Sequence, residues 1–271
     1  MKRLVLITVV GLLAVGTAQA AELGVNPNPP QNPSGPGYVP DLPNITQSVD
    51  PTTVTAATGV ACTNTVAVSD NHFLRRFFLN ADHGITVQYN VTSVDFGVES
   101  ITYVNGTSAP VEMRTYSIAN GAAFQFSNMT QLDSTTRNLP DGTALSIENF
   151  VVGGAIIDPV ATDLVVDMFW ADATTNNDWL GYPGANSSGE TQPSYIASVG
   201  CGLADPVTYS SIGFPDAHLV VTVNGDEQVV PTPTPPPATA GEPVPAMNRY
   251  GIMVMIGLLI GVAILVMWRR S

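Results

Sequence analysis

The chain has 271 residues, with 22 acidic and 9 basic side chains, a net charge of −13 and two cysteines. Lys2, Arg3, Arg249, Arg269 and Arg270 lie at its two ends, so only Arg75, Arg76, Arg114 and Arg137 stand among the acids, all of which fall between Glu22 and Glu242. So acidic a surface repels phosphate backbones and gains nothing from counterion release, which argues against nucleic acid as a partner.

Lys2 and Arg3 precede an apolar run, Leu4 to Gly16, and then the small-x-small triplet Ala18-Gln19-Ala20. Residues 1–20 therefore read as a cleavable secretory signal peptide, and the mature chain is expected to begin near Ala21 and to be exported. Residues 21–54 are dense in proline and poor in apolar mass, which predicts an extended, polyproline-like or disordered arm.

Residues 55–227 form one expected domain, large enough to bury an ordinary core. Its pattern is β throughout, with candidate strands at Val60–Val68, Phe73–Leu79, Ile85–Val98, Val111–Ile118, Ala122–Phe126, Thr143–Val151, Leu164–Trp170, Ser194–Val199 and Ala217–Val223. Asn105-Gly106, Asn120-Gly121, Asp141-Gly142 and Asn224-Gly225 punctuate them, and such pairs favour the tight turns of hairpins. The fold class predicted is all-β, an antiparallel β-sandwich of jelly-roll-like type.

In Leu164–Trp170 (LVVDMFW), Leu164, Val166, Met168 and Trp170 share one face, and Val165, Asp167 and Phe169 the other. Asp167 then needs a partner among apolar neighbours. Arg75 and Arg76 are adjacent in a strand and must face opposite ways. One is expected to point at the core and to pair with Glu99 or Asp167, unless the strand lies at an edge and both reach water. Cys62 and Cys201, an even pair in an exported chain, predict one disulfide closing a loop of about 140 residues.

No metal-ligand spacing, nucleophile elbow or phosphate-binding loop occurs, so no catalytic residue is assigned and a non-enzymatic protein is expected. Each histidine has an acid beside it (Asp70 and His72, Asp82 and His83, Asp216 and His218), a proximity that more often caps a turn than orients a base. The stretch Ala171–Gln192 is the candidate ligand loop. There Trp179 and Tyr182 stand among Asn176, Asn177, Asp178 and Glu190, the mixture of flat apolar faces and amides that sugar recognition uses. The same oxygens could ligate calcium as a cofactor, although no EF-hand spacing is present. A structural crossover with Trp179 plugging the sandwich is the plain alternative.

Residues 228–245, with alternating Thr and Pro, predict a stiff stalk. In residues 246–271 the uncharged run Tyr250–Trp268 would span about 28 Å as a helix, enough to cross a bilayer core. Arg269 and Arg270 behind it place the C-terminus in the cytoplasm.

The run SYIASVGCGLADPVTYSSIGFPDAHLVVTVNG (194–225), with SDNHFLRRFFL, VTSVDFGVES and DLVVDMFWAD before it, resembles a module of secreted and surface bacterial proteins. That resemblance implies a β-sandwich of no established activity. The tail resembles the IPTL-CTERM sorting signal, a relative of PEP-CTERM, with Val244, Pro245, Ala246 and Met247 as the motif and Arg269 and Arg270 as the basic cluster. It implies a Gram-negative envelope and an exosortase-like processing protease as partner, with the cell membrane as the first anchor. The whole reads as an exported, surface-displayed protein making envelope, matrix or adhesive contacts, extracellular polysaccharide among them. Its alternatives are a secreted carbohydrate-binding module or glycan hydrolase, and a calcium-dependent structural surface protein.

Overall fold

Runs of Val, Ile, Thr and aromatic residues become sixteen strands in the computed structural model, which describes residues 20–33 and 44–228. These belong to the first of two compact units, Met1–Val229. The second unit, Val230–Ser271, and with it the expected sorting motif and membrane-spanning run, lies outside the described residues, as does the expected signal peptide up to residue 19. Among the described residues no helix is long and apolar enough to cross a membrane.

In chain order the strands are β1 (Glu22–Val25), β2 (Asn44–Thr46), β3 (Val60–Thr63) and β4 (Asn71–Phe77). After a short helix, α1 (Leu79–His83), come β5 (Tyr89–Tyr103), β6 (Ala109–Ala119), β7 (Met129–Leu139), β8 (Ala144–Phe150), β9 (Ala155–Ile156) and β10 (Thr162–Trp170). The last are β11 (Trp179–Pro183), β12 (Ala185–Asn186), β13 (Tyr195–Ser198), β14 (Leu203–Thr208), β15 (His218–Leu219) and β16 (Val221–Glu227). One six-stranded sheet runs β14-β13-β4-β10-β6-β7. The other runs β11-β5-β16-β2, with β8 and β9 also paired to β5, and β1-β3 and β12-β15 form small two-stranded sheets. The pairings are antiparallel, as expected for an all-β chain joined by short turns.

One core lies between the two large sheets. Leu164, Val166, Met168 and Trp170 of β10 enter it with Phe73 and Phe77 of β4, and Val94, Phe96, Val221 and Val223 meet them from β5 and β16. Each such fully buried side chain contributes about 1.5–3 kcal/mol. The opposite face of β10 carries Val165, Asp167 and Phe169, as the alternation requires. Val165 joins Leu74, Tyr116, Ile118 and Ala197 in a second, smaller cluster roofed by Phe124, Phe126 and Met129.

Several elements differ from expectation. The proline-dense stretch 21–54 is not a structureless arm: its proline-free ends enter the sheets, with Leu23 opposite Cys62 and Ile45 opposite Val223. Asn26, Ile45 and Gln47 are buried there. Ala122–Phe126 is turn rather than strand, and the strand falls later, at β7, whose polar sequence carries no clear apolar alternation. Asn224-Gly225 is a bulge inside β16 rather than a hairpin turn, with the register against β5 shifting between the two residues. A Cβ on Gly225 would lie 2.4 Å from the Asn90 carbonyl, so only glycine fits this bulge. The Asn105-Gly106 and Asp141-Gly142 turns stand where expected, between β5 and β6 and between β7 and β8.

Cys62 of β3 and Cys201, in the short turn before β14, are joined as expected, with a Cα–Cα distance of 6.1 Å. Arg75 points into the core and Arg76 to the other face, and both are buried because β4 is an interior strand. Neither takes the expected partner. Arg75 pairs with Glu190 at 2.8 Å and Arg76 with Asp163 at 2.7 Å.

Candidate binding cleft and charged clusters

The stretch Ala171–Gln192 does not form one ligand loop. Its sequence WLGYP extends as β11 along β5, placing Trp179 opposite Tyr103 and Tyr182 opposite Ser100. Both aromatics are only 2% and 3% exposed, because rings of this size stabilise most when covered on all sides. Trp179 packs edge-on against Trp170, with centroids 5.2 Å apart. Asn176, Asn177 and Asp178 form the turn before β11 and hold the neighbouring 104–106 loop. The Asn176 carbonyl accepts from Asn105 Nδ2, the Asn177 carbonyl from Asn105 N–H, and the Asp178 carbonyl from Val104 and Gly106 N–H. Asn177 adopts φ 53°, a conformation that asparagine tolerates better than most residues.

Glu190 lies apart from these, on the Arg75 side. Its Oε1 accepts from Ser194 N–H at 3.0 Å and its Oε2 from Ser194 Oγ–H at 2.6 Å, while Arg75 also donates to the Gln192 and Leu219 carbonyls. Burial brings the Arg75 guanidinium down to about 10, against the opposing pull of Glu190. The role of Glu190 is thus to neutralise a buried cation.

A cleft of about 350 Å³ lies between the N-terminal segment and the β5–β11 pair. Ser100, Thr102, Leu180 and Tyr182 form its floor, Asn26, Pro27, Asn28 and Pro30 one wall, and Gly142 to Ala144 the other. Asn26 Nδ2 donates to Ser100 Oγ at 3.1 Å, and Asn28 N–H to Asn26 Oδ1 at 2.9 Å, so a side-chain turn stiffens the wall. Thr102 and Asn28 are exposed. The lining offers amides and hydroxyls beside the apolar edges of Pro27, Pro30 and Leu180, a surface that can meet a polyhydroxylated chain without any charge. Proline density hid this wall in the sequence; the Asn26-x-Asn28 turn was its one local signal.

The charged residues gather elsewhere. On the outer face of β4, β10 and β6, Asp167 is fully buried and its Oδ2 lies 2.8 Å from His72 Nδ1, which supplies the partner the sequence required. Phe126 and Phe169 flank the imidazole, with centroids at 4.7 and 4.6 Å. Arg114 lies 4.0 Å above the Phe169 ring and donates to Glu112 at 2.6 Å. Burial acts to lower the Arg114 pKa, but the bond to Glu112 and the charge of Asp167 outweigh it and hold the guanidinium above its ordinary value. Asp70 does not orient His72; it accepts from Val199 and Gly200 N–H, both at 2.8 Å, beside the disulfide. His83 is half-buried, and desolvation lowers its pKa against the pull of Asp82. Among the described residues, no three of His, Cys, Asp and Glu are grouped to hold a metal ion.

Glu99 sits on β5 next to the cleft residue Ser100, with its carboxylate turned into the protein. Its Oε2 accepts from Gly59 N–H at 2.8 Å and Thr58 N–H at 3.2 Å, and its Oε1 is buried without a partner. Desolvation raises its pKa despite the bonds from the backbone.

No protein-family model matches the chain, and no curated protein matches it. Among solved structures there is a likeness to the crystal structure of the cysteine protease and lectin-like domains of Cwp84, a surface layer associated protein of Clostridium difficile. The identity is 17% and the TM-score 0.30, over 59% of this chain and 33% of that chain. The chain thus spans about a third of that chain's length. A likeness of this size does not extend to fold, site or activity. What the structure defines is an all-β antiparallel domain with two six-stranded sheets, one disulfide and an uncharged cleft lined by apolar and polar groups together.

Proposed function

We propose that the protein is an exported, surface-displayed and non-enzymatic contact domain, sorted or anchored through residues 246–271 and facing extracellular polysaccharide through its cleft. The observation that carries this reading is the cleft itself, whose lining sets amides and hydroxyls among proline and aliphatic surface, without a carboxylate or imidazole. Sugars are held by such groups, and hydrolysis of a glycoside would need two carboxyl groups facing each other across the bond. The Cys62–Cys201 bond supports an oxidising compartment. The His72–Asp167 pair fits a structural role, because aromatic rings flank the imidazole.

The test is retention of the detergent-solubilised protein on an array of neutral and acidic polysaccharides. Thr102→Trp, which fills the cleft from its floor, should reduce retention at least tenfold without lowering the melting temperature. Absence of retention on any glycan, or equal retention by the variant, would overturn the cleft reading. Sorting is tested separately by mass spectrometry of the mature C-terminus: an end near 246–249 supports an exosortase-like protease as partner, and an intact Arg269-Arg270 end supports a permanent single-pass anchor.

A further inference from the structure

The two lateral edges of the β14-β13-β4-β10-β6-β7 sheet are built differently. At one edge β14 contains Pro206, which cannot donate to a further strand. At the other edge β7 is 11 residues long, reads MTQLDSTTRNL and contains neither proline nor glycine. Its ladder runs to β6, and among the described residues no backbone group outside that ladder bonds to the backbone of residues 130–139. Ser134 N–H turns instead to the carboxylate of the preceding Asp133, at 2.8 Å. A long strand with one side unpaired is a template for another strand.

The sequence of β7 favours a particular strand. A second copy laid antiparallel along β7, about a two-fold axis normal to the sheet, keeps every side chain on its own face, so a residue meets a partner of the same alternation. With the axis at Thr135, Asp133 faces Arg137 of the second copy, and Arg137 faces its Asp133. Ser134 then lies across from Thr136 in both halves, and the two Thr135 residues meet on the axis. An axis at Asp133 or at Arg137 would set like charges opposite each other, which destabilises a sheet. An axis at Ser134 or Thr136 leaves both charges facing neutral residues. The irregularity in the β6–β7 register falls at Leu132, between Asp133 and Gln131, and so leaves 133–137 regular.

Both charged side chains are held in place before any second strand arrives. Asp133 Oδ2 accepts from Gly153 N–H at 2.6 Å, and Arg137 pairs with Glu148 and donates to the Asn149 carbonyl at 2.8 Å. We infer that β7 is a homotypic interface, at which two copies of this chain join their six-stranded sheets through residues 133–137 centred on Thr135. This inference is independent of the cleft and of any glycan.

The test uses the full chain, whose two native cysteines are already joined. Thr135→Cys should give a disulfide-linked dimer on a non-reducing gel, because two residues on the axis lie about 4.5–5.5 Å apart between Cα atoms, within the range a disulfide accepts. Asn138→Cys, equally on β7 and exposed, should give at least tenfold less, since its copy lies about 20 Å away along the strand. Added to Thr135→Cys, either Asp133→Arg or Arg137→Asp should reduce the dimer several-fold, and the two together should restore it. Equal cross-linking at 135 and 138, or none at 135 in protein with an unchanged melting transition, would overturn the interface. Failure of the double charge swap to restore the dimer would overturn the Thr135 register.

Discussion

The Arg75 guanidinium and the Glu190 carboxylate lie 2.8 Å apart inside the domain, with the arginine side chain fully covered and the glutamate 19% exposed. Residues from the two halves of the chain are joined there, since Arg75 also donates to Gln192, 117 positions further on, and to Leu219. Removing the arginine leaves the Glu190 carboxylate without its cation and takes a donor from the Gln192 and Leu219 carbonyls at once. Arg75→Ala is therefore expected to cost about 3–5 kcal/mol, the range for breaking a buried pair. Arg76→Ala should cost less, because the Arg76 side chain is 7% exposed whereas that of Arg75 is fully covered. Urea melts of both variants check this, and a larger loss for Arg76→Ala would show that the core pair is not the tighter clamp.

Glu99 makes stability depend on pH in the direction opposite to an ordinary paired carboxylate. Its folded pKa is raised by desolvation, so between the unfolded and folded values the folded protein binds more protons, and stability falls as pH rises through that window. Glu99→Gln keeps an oxygen for Gly59 and Thr58 N–H and has no proton to lose. The variant should lose less stability than the native protein as pH rises from the acid side toward neutrality. Melting curves at a series of pH values report this as a shrinking or reversing difference, and parallel curves would refute it.

Reduction of Cys62–Cys201 frees a loop spanning 139 positions. The chain-entropy relation assigns such a loop about 5 kcal/mol, and distortion or residual structure brings measured values lower. A Cys62→Ala, Cys201→Ala double variant should melt at a markedly lower temperature, while its far-ultraviolet circular dichroism stays that of an all-β protein at low temperature. Melting within a degree or two of the native protein would show that the small β1–β3 sheet holds Cys62 without the bond.

Gly97 and Gly184 touch at the junction of β5, β11 and β12. Gly184 N–H donates to the Gly97 carbonyl at 2.7 Å, Gly97 N–H to the Val220 carbonyl at 2.8 Å, and Val220 N–H to the Gly184 carbonyl at 3.0 Å. A Cβ on Gly184 would lie 2.4 Å from the Gly97 carbonyl carbon, so backbone must move to admit it. Gly184→Ala is expected to cost about 2–4 kcal/mol, large for the addition of one methyl group. Chemical denaturation checks the value, and a change within about 0.5 kcal/mol would mean the junction yields freely.

The parts of the fold legible in the sequence are those where local pattern and burial agree. In β10, LVVDMFW alternates and is covered on both faces, so its strand and its inward residues followed directly. β7 carries no such pattern because an edge strand needs no apolar stripe, and Ser, Thr, Asp and Arg satisfy it as well as Val would. β1 and β2 were hidden by the prolines between them, which determine the connection and say nothing of its ends. The partners of Arg75, Arg76 and Asp167 are set by which strands become neighbours. The need for partners was visible in the strand pattern, whereas Glu190, Asp163 and His72 were fixed only by topology. Trp179 and Tyr182 resembled a sugar platform because composition cannot tell an aromatic strand from an aromatic loop.

The pairing of β2 with β16 has a temporal consequence. Thr46 donates its hydroxyl to Val221, 175 residues later, and β5 too waits for β16 along its first half. At about 5–20 residues per second, a ribosome needs roughly 10–35 s to bring the second partner after the first. Throughout that interval β2 waits without its neighbour in the β11-β5-β16-β2 sheet, so that sheet is completed only when β16 is delivered.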